Sequence, residues 1–170
     1  MKRLLASCFG LGRLPLAPGT WGSLPPVVLF ALMGYLEAPA AAISIVMAAL
    51  ALLGCVVCVE FAPASIAATG KADPREVVAD EFAGQAVTFM AIPAVPTNQI
   101  WLTAVLGFLL FRFLDIAKPW PSRKLEKLRK GWGILADDLM AAAYAGVALF
   151  LFRSLGLVEY LDGLLRAAAS

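Results

Sequence analysis

Apolar residues fall into five runs along the chain, separated by short polar or turn-rich segments. One run, residues 40–59, contains no charged residue, and about 20 apolar residues are enough to cross the hydrocarbon core of a bilayer. The pattern predicts a bundle of hydrophobic helices, with the turn-rich start and the last segment of the chain at the membrane surface. The five runs are residues 24–36, 40–59, 77–95, 100–116 and 133–152.

The composition indicates the same class of protein. Of the 170 residues, 61% are apolar and 15% are charged, whereas soluble domains average about 45–50% and about 25%. The mean hydropathy is +0.83. The length suits a single domain over residues 1–170, and the net charge of +2 is too small to favour a nucleic-acid partner. The sequence therefore predicts an all-α integral membrane bundle of about four to five hydrophobic helices plus interfacial helices.

Basic residues are distributed unevenly among the connecting segments. Lys and Arg precede the first run, lie between the second and third runs, and are densest in residues 117–130. Segments 37–40 and 95–99 contain neither. Cytoplasmic loops of membrane proteins carry the excess of Lys and Arg. If the five runs cross the membrane in alternating directions, all three basic regions lie in the cytoplasm.

The chain contains no histidine. This absence excludes catalytic triads built on an imidazole, phosphohistidine intermediates and zinc sites with a histidine ligand. Any chemistry must rely on carboxylates, Lys or Arg, hydroxyl groups, thiols or a bound metal ion.

Acidic residues stand at the cytoplasmic ends of the third, fourth and fifth runs. A carboxylate within a spanning segment costs about 2.5–3.5 kcal/mol on the insertion scale, so such residues are candidates for function. Carboxylates that meet at one depth repel one another unless a cation lies between them, and hard cations such as Mg²⁺ prefer oxygen ligands. We therefore predict a Mg²⁺ site formed by Asp80, Glu81, Asp115, Asp137 and Asp138.

Basic and small residues near these acids suit a phosphoryl group. Arg112 lies three residues before Asp115, on the same helix face, and Lys118 follows three residues later. The turn at residues 18–23 offers backbone N–H groups and hydroxyls at a helix start, which favours an anion. The pattern predicts metal-assisted phosphoryl chemistry on a substrate reached from the bilayer surface. The candidate substrate-binding residues are Gly19, Thr20, Ser23, Arg112 and Lys118.

Two alternatives stay open on the residues alone. The acids could pair with neighbouring Arg and Lys as structural ion pairs. The chain could also be a membrane transporter or ion carrier that uses the intramembrane acids as cation sites. Transporters typically show paired repeats and sites near the bilayer midplane, and this sequence shows no repeat.

Four segments resemble the phosphatidylglycerophosphatase A family in order and spacing. They are PLAPGTWGS at 15–23, VVADEFAGQ at 77–85, FRFLDIAKPWP at 111–121 and GWGILADDLMAAAYAG at 131–146. The resemblance implies a Mg²⁺-dependent phosphatase that converts phosphatidylglycerophosphate to phosphatidylglycerol and phosphate at the cytoplasmic face of the bacterial inner membrane. It also implies a compact helical bundle in which some apolar runs are too shallow to span.

The family's acidic positions fall on the five acids named above. Two mechanisms suit this set: a carboxylate activates water, or Asp80 or Asp137 attacks phosphorus and forms an aspartyl-phosphate. The family's Gly-Thr and Arg/Lys positions fall on Gly19, Thr20, Arg112 and Lys118. The candidate catalytic residues are Asp80, Asp115, Asp137 and Lys118.

Overall fold

A computed structural model describes residues 1–90, 92, 95–125 and 131–169, without the side chains of residues 123, 124 and 169. Much of the predicted basic segment therefore lies outside the described residues, namely Lys127, Arg129, Lys130 and the side chains of Arg123 and Lys124. The described residues form helices and connecting turns without any strand, which confirms the all-α prediction.

Eight α-helices account for most of the described residues, and each of the five apolar runs corresponds to one of the longer ones. Two 3-10 turns, Leu11–Arg13 and Thr97–Gln99, precede α2 and α5. The helices are α1 (Lys2–Ala6), α2 (Pro18–Tyr35), α3 (Ala40–Thr69), α4 (Ala79–Met90), α5 (Ile100–Ala117), α6 (Ser122–Leu125), α7 (Gly131–Ser154) and α8 (Leu157–Ala169).

The boundaries of two helices differ from the apolar runs. α3 continues past Glu60 through an alanine-rich stretch that contains Pro63 inside the helix, and it ends where Gly70 adopts a left-handed φ of 70°. α2 begins earlier than its apolar run, at Pro18, whose fixed φ suits the first position of a helix.

Among the described residues, three helices are long and apolar enough to cross a membrane: α3, α5 with its preceding turn (Thr97–Ala117), and α7. α4 has only 12 residues. At about 1.5 Å per residue it covers about 18 Å, less than the hydrocarbon core of about 30 Å. The third apolar run is therefore a short helix buried inside the bundle, as the resemblance implies for some runs.

α4 packs against α2, α3 and α7, with a smaller contact to α5. Small residues permit this close packing. A Cβ on Gly84 of α4 would lie 2.6 Å from the ring of Phe111, and one on Gly54 of α3 would lie 2.8 Å from Cβ of Ala83. Close approach through small residues is typical of helices packed in membranes.

The direction of the helices brings particular residues to one end of the bundle. α2, α4 and α7 begin there and α5 ends there, so one pocket is lined by Gly19, Asp80, Lys118 and Asp137. Farther along the same helices, Phe30 of α2 and Phe89 of α4 stack with ring centroids 4.2 Å apart. The apolar core thus supports an end of the bundle where charged residues collect.

Candidate active site

A pocket of about 330 Å³ opens at this end of the bundle. Its volume falls within the range of small-molecule sites, about 300–1,000 Å³. All five predicted acids and both predicted basic residues line it. The charged lining residues are Asp73, Arg75, Asp80, Glu81, Arg112, Asp115, Lys118, Asp137 and Asp138.

Three of the acids form a compact cluster at the contact of two helices. Asp80 and Glu81 lie in the first turn of α4, and Asp138 lies in α7. One carboxylate oxygen from each lies within 4.8 Å of the other two. Oδ1 of Asp80, Oε2 of Glu81 and Oδ2 of Asp138 are buried and have no hydrogen-bond donor among the described residues. Because such oxygens are costly to bury without a partner, this acid cluster fits a bound cation.

Burial works against the ionised form of the α4 acids. It raises the pKa of Asp80 to about 6. The pKa of Glu81 is raised well above its ordinary value. Burial is the largest cause and the negative charge of Asp80 is the second, whereas Arg112 opposes the shift. A divalent cation between the carboxylates would favour their charged forms, and carboxylate oxygens are the ligands that Mg²⁺ prefers.

Arg112 joins the acid cluster to Asp115. Its Nη1 lies 2.8 Å from Oδ2 of Asp115 and 3.8 Å from Oε1 of Glu81. The first pair is separated by three residues of α5, so the predicted shared helix face is observed. Asp115 also approaches the carboxyl group of Asp138. It therefore lies at the edge of the acid cluster, with its charge facing an arginine.

Lys118 and Asp137 form a second ion pair at the pocket. Nζ of Lys118 lies 2.5 Å from Oδ2 of Asp137, which is 4% exposed. Lys118 ends α5 in a left-handed conformation with a φ of 47°, a position where glycine is the usual residue. Non-glycine residues in such conformations cluster at functional sites, so Lys118 stays a candidate site residue.

The start of α2 closes the pocket against Glu81 and Arg112. Ala17 precedes the helix in a left-handed conformation with a φ of 45°. A Cβ on Gly19 would overlap Oε1 of Glu81 and lie 2.9 Å from both Nη atoms of Arg112, so a larger residue would displace these side-chain ends. The first N–H groups of α2 carry partial positive charge at the pocket, which favours an anion there.

The two hydroxyl residues predicted for this turn do not line the pocket. Ser23 is fully buried, and its Oγ donates a hydrogen bond to the carbonyl of Gly19 at 2.9 Å. Thr20 is partly exposed. The contact of Thr20 and Ser23 with a phosphoryl group stays a prediction.

Two charged residues of the pocket, Asp73 and Arg75, are not predicted by the motifs. They belong to the segment between α3 and α4, which the pattern identifies only as a polar connection. Arg3 of α1 donates two hydrogen bonds to Glu76, at 2.7 and 2.9 Å, and fastens this segment beside the pocket. Both residues lie only a few positions before Asp80 in the sequence, and this was the signal that could have identified them.

Comparison with known proteins gives a consistent result. A model of the phosphatidylglycerophosphatase A family matches residues 4–153. A Haemophilus influenzae protein named phosphatidylglycerophosphatase A is 40% identical over 149 residues, covering 86% of this chain and 85% of that protein. An Escherichia coli protein of the same name is 37% identical over 150 residues, covering 87% and 81%.

A third relative has a different name. This Bacteroides thetaiotaomicron protein, provisionally named as a phosphatidylinositol-3-phosphatase, is 34% identical over 157 residues, covering 88% of this chain and 92% of that protein. No solved structure matches the chain. The family match includes all four motif segments and the acid cluster, which confirms the resemblance. The chain belongs to the phosphatidylglycerophosphatase A family, whose members are named as phosphoric monoester hydrolases.

Proposed function

We propose that the chain hydrolyses the terminal phosphomonoester of phosphatidylglycerophosphate, yielding phosphatidylglycerol and inorganic phosphate. The reaction depends on Mg²⁺ and takes place at the cytoplasmic face of the bacterial inner membrane. The observation that carries the proposal is the pocket in which Asp80, Glu81 and Asp138 converge beside Arg112 and Lys118. Family membership supports this substrate, since two relatives are named for the activity.

The acid cluster would hold the metal ion through Asp80, Glu81 and Asp138. A Mg²⁺ ion held by these residues would supply positive charge to the phosphoryl oxygens and would lower the barrier to attack at phosphorus. Asp115 and Asp137, the other two acids in the predicted metal site, lie in ion pairs beside the cluster. In that arrangement they hold their basic partners toward the substrate.

The reaction needs only water as co-substrate. In the direct route, a carboxylate takes a proton from water while the water oxygen bonds to phosphorus. The P–O bond to glycerol breaks, and the departing oxygen takes up a proton to become the hydroxyl of phosphatidylglycerol. Arg112 and Lys118 donate hydrogen bonds to the phosphoryl oxygens and balance their charge.

The second route passes through a covalent enzyme. Asp80 or Asp137 attacks phosphorus, the alcohol leaves, and water then hydrolyses the aspartyl-phosphate. Acid quenching after brief exposure to radiolabelled substrate distinguishes the two routes. Labelled protein would support the covalent route, whereas ¹⁸O from water in the released phosphate with no labelled protein would count against it.

The distribution of apolar and basic residues supports the membrane placement. Three helices are long and apolar enough to cross a bilayer. Arg75 and Lys118 line the pocket, and Arg3 and Arg13 lie beside it through their ion pairs with Glu76. Because an excess of Lys and Arg marks the cytoplasmic side of a membrane protein, the pocket would open on that side.

Phosphate release from phosphatidylglycerophosphate in detergent tests the proposed function. We expect release in the presence of Mg²⁺, loss of release with EDTA, and recovery when Mg²⁺ is restored. Phosphatidylinositol 3-phosphate is the comparison substrate, since one relative is named for it. Folded protein that releases no phosphate from either lipid would contradict the proposal and favour a membrane transporter or ion carrier.

Amide substitutions locate the chemistry within the pocket. We expect Asp80→Asn, Asp115→Asn and Asp137→Asn each to lower turnover by at least about a hundredfold, as removal of a general acid or base or of a metal-binding role does. Asp162→Asn is the matched control, because Asp162 pairs with Arg166 in α8 and does not line the pocket. Circular dichroism checks the fold of each variant. Wild-type turnover in any two of the three would contradict the assigned site.

A further inference from the structure

Three basic side chains line the described part of the pocket, and two of them already face carboxylates. Arg112 lies 2.8 Å from Asp115, and Lys118 pairs with Asp137. Arg75 is exposed, and no carboxylate of the described residues lies within ion-pair distance of it. One guanidinium group at the pocket is therefore available for an anionic ligand.

The backbone that carries Arg75 is anchored on both sides. Pro74 is buried, and the N–H group of Val78 donates to a carbonyl of α1 at 3.0 Å. The side chain of Glu76 is held by two hydrogen bonds from Arg3. These contacts keep the Arg75 backbone beside the pocket, which lowers the entropy lost when its side chain binds a ligand.

The charged residues that line the pocket differ in exposure. Asp80, Asp137 and Asp138 are only 4–5% exposed, whereas Arg75 and the nearby Asp73 are exposed. The proposed substrate carries two phosphates: the terminal phosphomonoester that is cleaved, and the phosphodiester that joins the headgroup to diacylglycerol. The monoester belongs at the acid cluster with its metal ion. The diester lies one glycerol unit away and keeps its negative charge throughout the reaction, so a cation outside the cluster would favour its binding.

We propose that Arg75 binds the phosphodiester of the lipid substrate and thereby selects lipids that carry a second phosphate. The inference rests on the proposed function and adds a specificity residue to it. A guanidinium can donate two parallel hydrogen bonds to phosphate oxygens, whereas an ammonium acts as a point charge. Because the diester is not altered by the reaction, the contact stabilises ground state and transition state equally, and its loss raises KM rather than lowering kcat.

Steady-state kinetics of Arg75→Ala, Arg75→Lys and Lys71→Ala test this inference with phosphatidylglycerophosphate as substrate. Lys71 is the matched control, because it is an exposed cation of the same segment that does not line the pocket. Two inhibitors distinguish binding of the phosphodiester from binding of the cleaved phosphate. Phosphatidylglycerol contains only the phosphodiester, and inorganic phosphate resembles only the cleaved group.

For Arg75→Ala we expect KM and the inhibition constant of phosphatidylglycerol to rise by at least about tenfold, the loss of one charge-assisted hydrogen bond. We expect kcat and the inhibition constant of phosphate to stay within about twofold of wild type. Arg75→Lys is expected to fall between wild type and Arg75→Ala, and Lys71→Ala to match wild type.

Three outcomes would overturn the inference. Wild-type values throughout in Arg75→Ala would remove any role in binding. A lower kcat and weaker phosphate inhibition, with unchanged phosphatidylglycerol inhibition, would place Arg75 at the cleaved phosphate instead. Equal losses in Lys71→Ala would indicate general attraction to an anionic membrane surface. Failure of the wild-type protein to release phosphate would instead contradict the proposed function itself, and this inference with it.

Discussion

Gly19 and Glu81 approach so closely that a side chain at position 19 would displace the Glu81 carboxylate: a Cβ on Gly19 would overlap Oε1 of Glu81. The same carboxylate lies 3.8 Å from Nη1 of Arg112. The position of Gly19 at the start of α2 therefore affects both Glu81, a proposed metal ligand, and Arg112, a proposed contact of the phosphoryl group.

Gly19→Ala tests this link. The added methyl group would displace the Glu81 carboxylate, which can move because it is the end of a side chain, so the fold is expected to survive. We expect turnover to fall about a hundredfold, the effect of displacing a catalytic group by about 1 Å. Gly163→Ala is the control, since a Cβ at that position would have no other atom within 4 Å. Similar turnover in both variants would contradict the link.

Glu81→Gln and Asp138→Asn test which acids bind the metal. Each removes one charged oxygen from the acid cluster, whose ligand atoms lie within 4.8 Å of one another. We expect the Mg²⁺ concentration for half-maximal activity to rise at least about tenfold in each variant. Isothermal titration calorimetry with Mg²⁺ measures the same change without substrate. Unchanged Mg²⁺ affinity in both variants would exclude the acid cluster as the metal site.

Lys118→Gly and Lys118→Ala separate the role of the side chain from that of the backbone. Both remove the ammonium group that pairs with Asp137, so we expect both to lose at least about a hundredfold in turnover. The φ of 47° costs alanine about 1 kcal/mol more than glycine. Lys118→Gly should therefore unfold about 2–4 °C above Lys118→Ala. A melting temperature for Lys118→Ala equal to or above that of Lys118→Gly would contradict this account.

Glu76→Gln tests how the segment before α4 is held. Hydrogen bonds from Arg3 lower the pKa of Glu76 below its ordinary value. The folded state therefore binds fewer protons than the unfolded state in mild acid. This stabilisation is complete above the unfolded pKa of about 4.3, and it is lost as the pH falls through the lower folded value.

At pH 7 we expect Glu76→Gln to lower the melting temperature by about 2–4 °C, and we expect the difference to disappear at a pH well below the folded pKa. Glu60→Gln is the control, because Glu60 is exposed and has no ion pair among the described residues. A difference between wild type and Glu76→Gln that persists unchanged in strong acid would show that the charge is not responsible.

The fold was predictable to the level of its helices. Each apolar run corresponds to a helix, the structure expected of long apolar segments, which must satisfy their backbone groups internally if they cross a bilayer. The pattern did not reveal that α4 is a short buried helix, because apolar runs are typical of both buried and membrane-spanning helices. Only packing on α2, α3 and α7 distinguishes it from the three helices long enough to span.

The pocket was predictable in part. Alternate crossings place Asp80, Asp115 and Asp137 at one end of the bundle, and all three line the pocket. Asp73 and Arg75 escaped prediction because they lie in an irregular segment without periodicity. The contact with α1 through Glu76, which brings that segment to the pocket, joins residues more than seventy positions apart in the chain.

The sequence by itself determined the membrane class, the family and the end of the bundle at which the charged residues collect. These follow from the length of apolar runs and the position of charges along each helix axis. Only the tertiary structure decided which acids share the cluster, which pair with Arg112 and Lys118, and that Gly19 lies against the Glu81 carboxylate. Contacts between helices depend on how far each helix is rotated about its axis and how closely its small residues let neighbouring helices pack. Neither the rotation nor the packing distance can be read from the position of a residue along the chain.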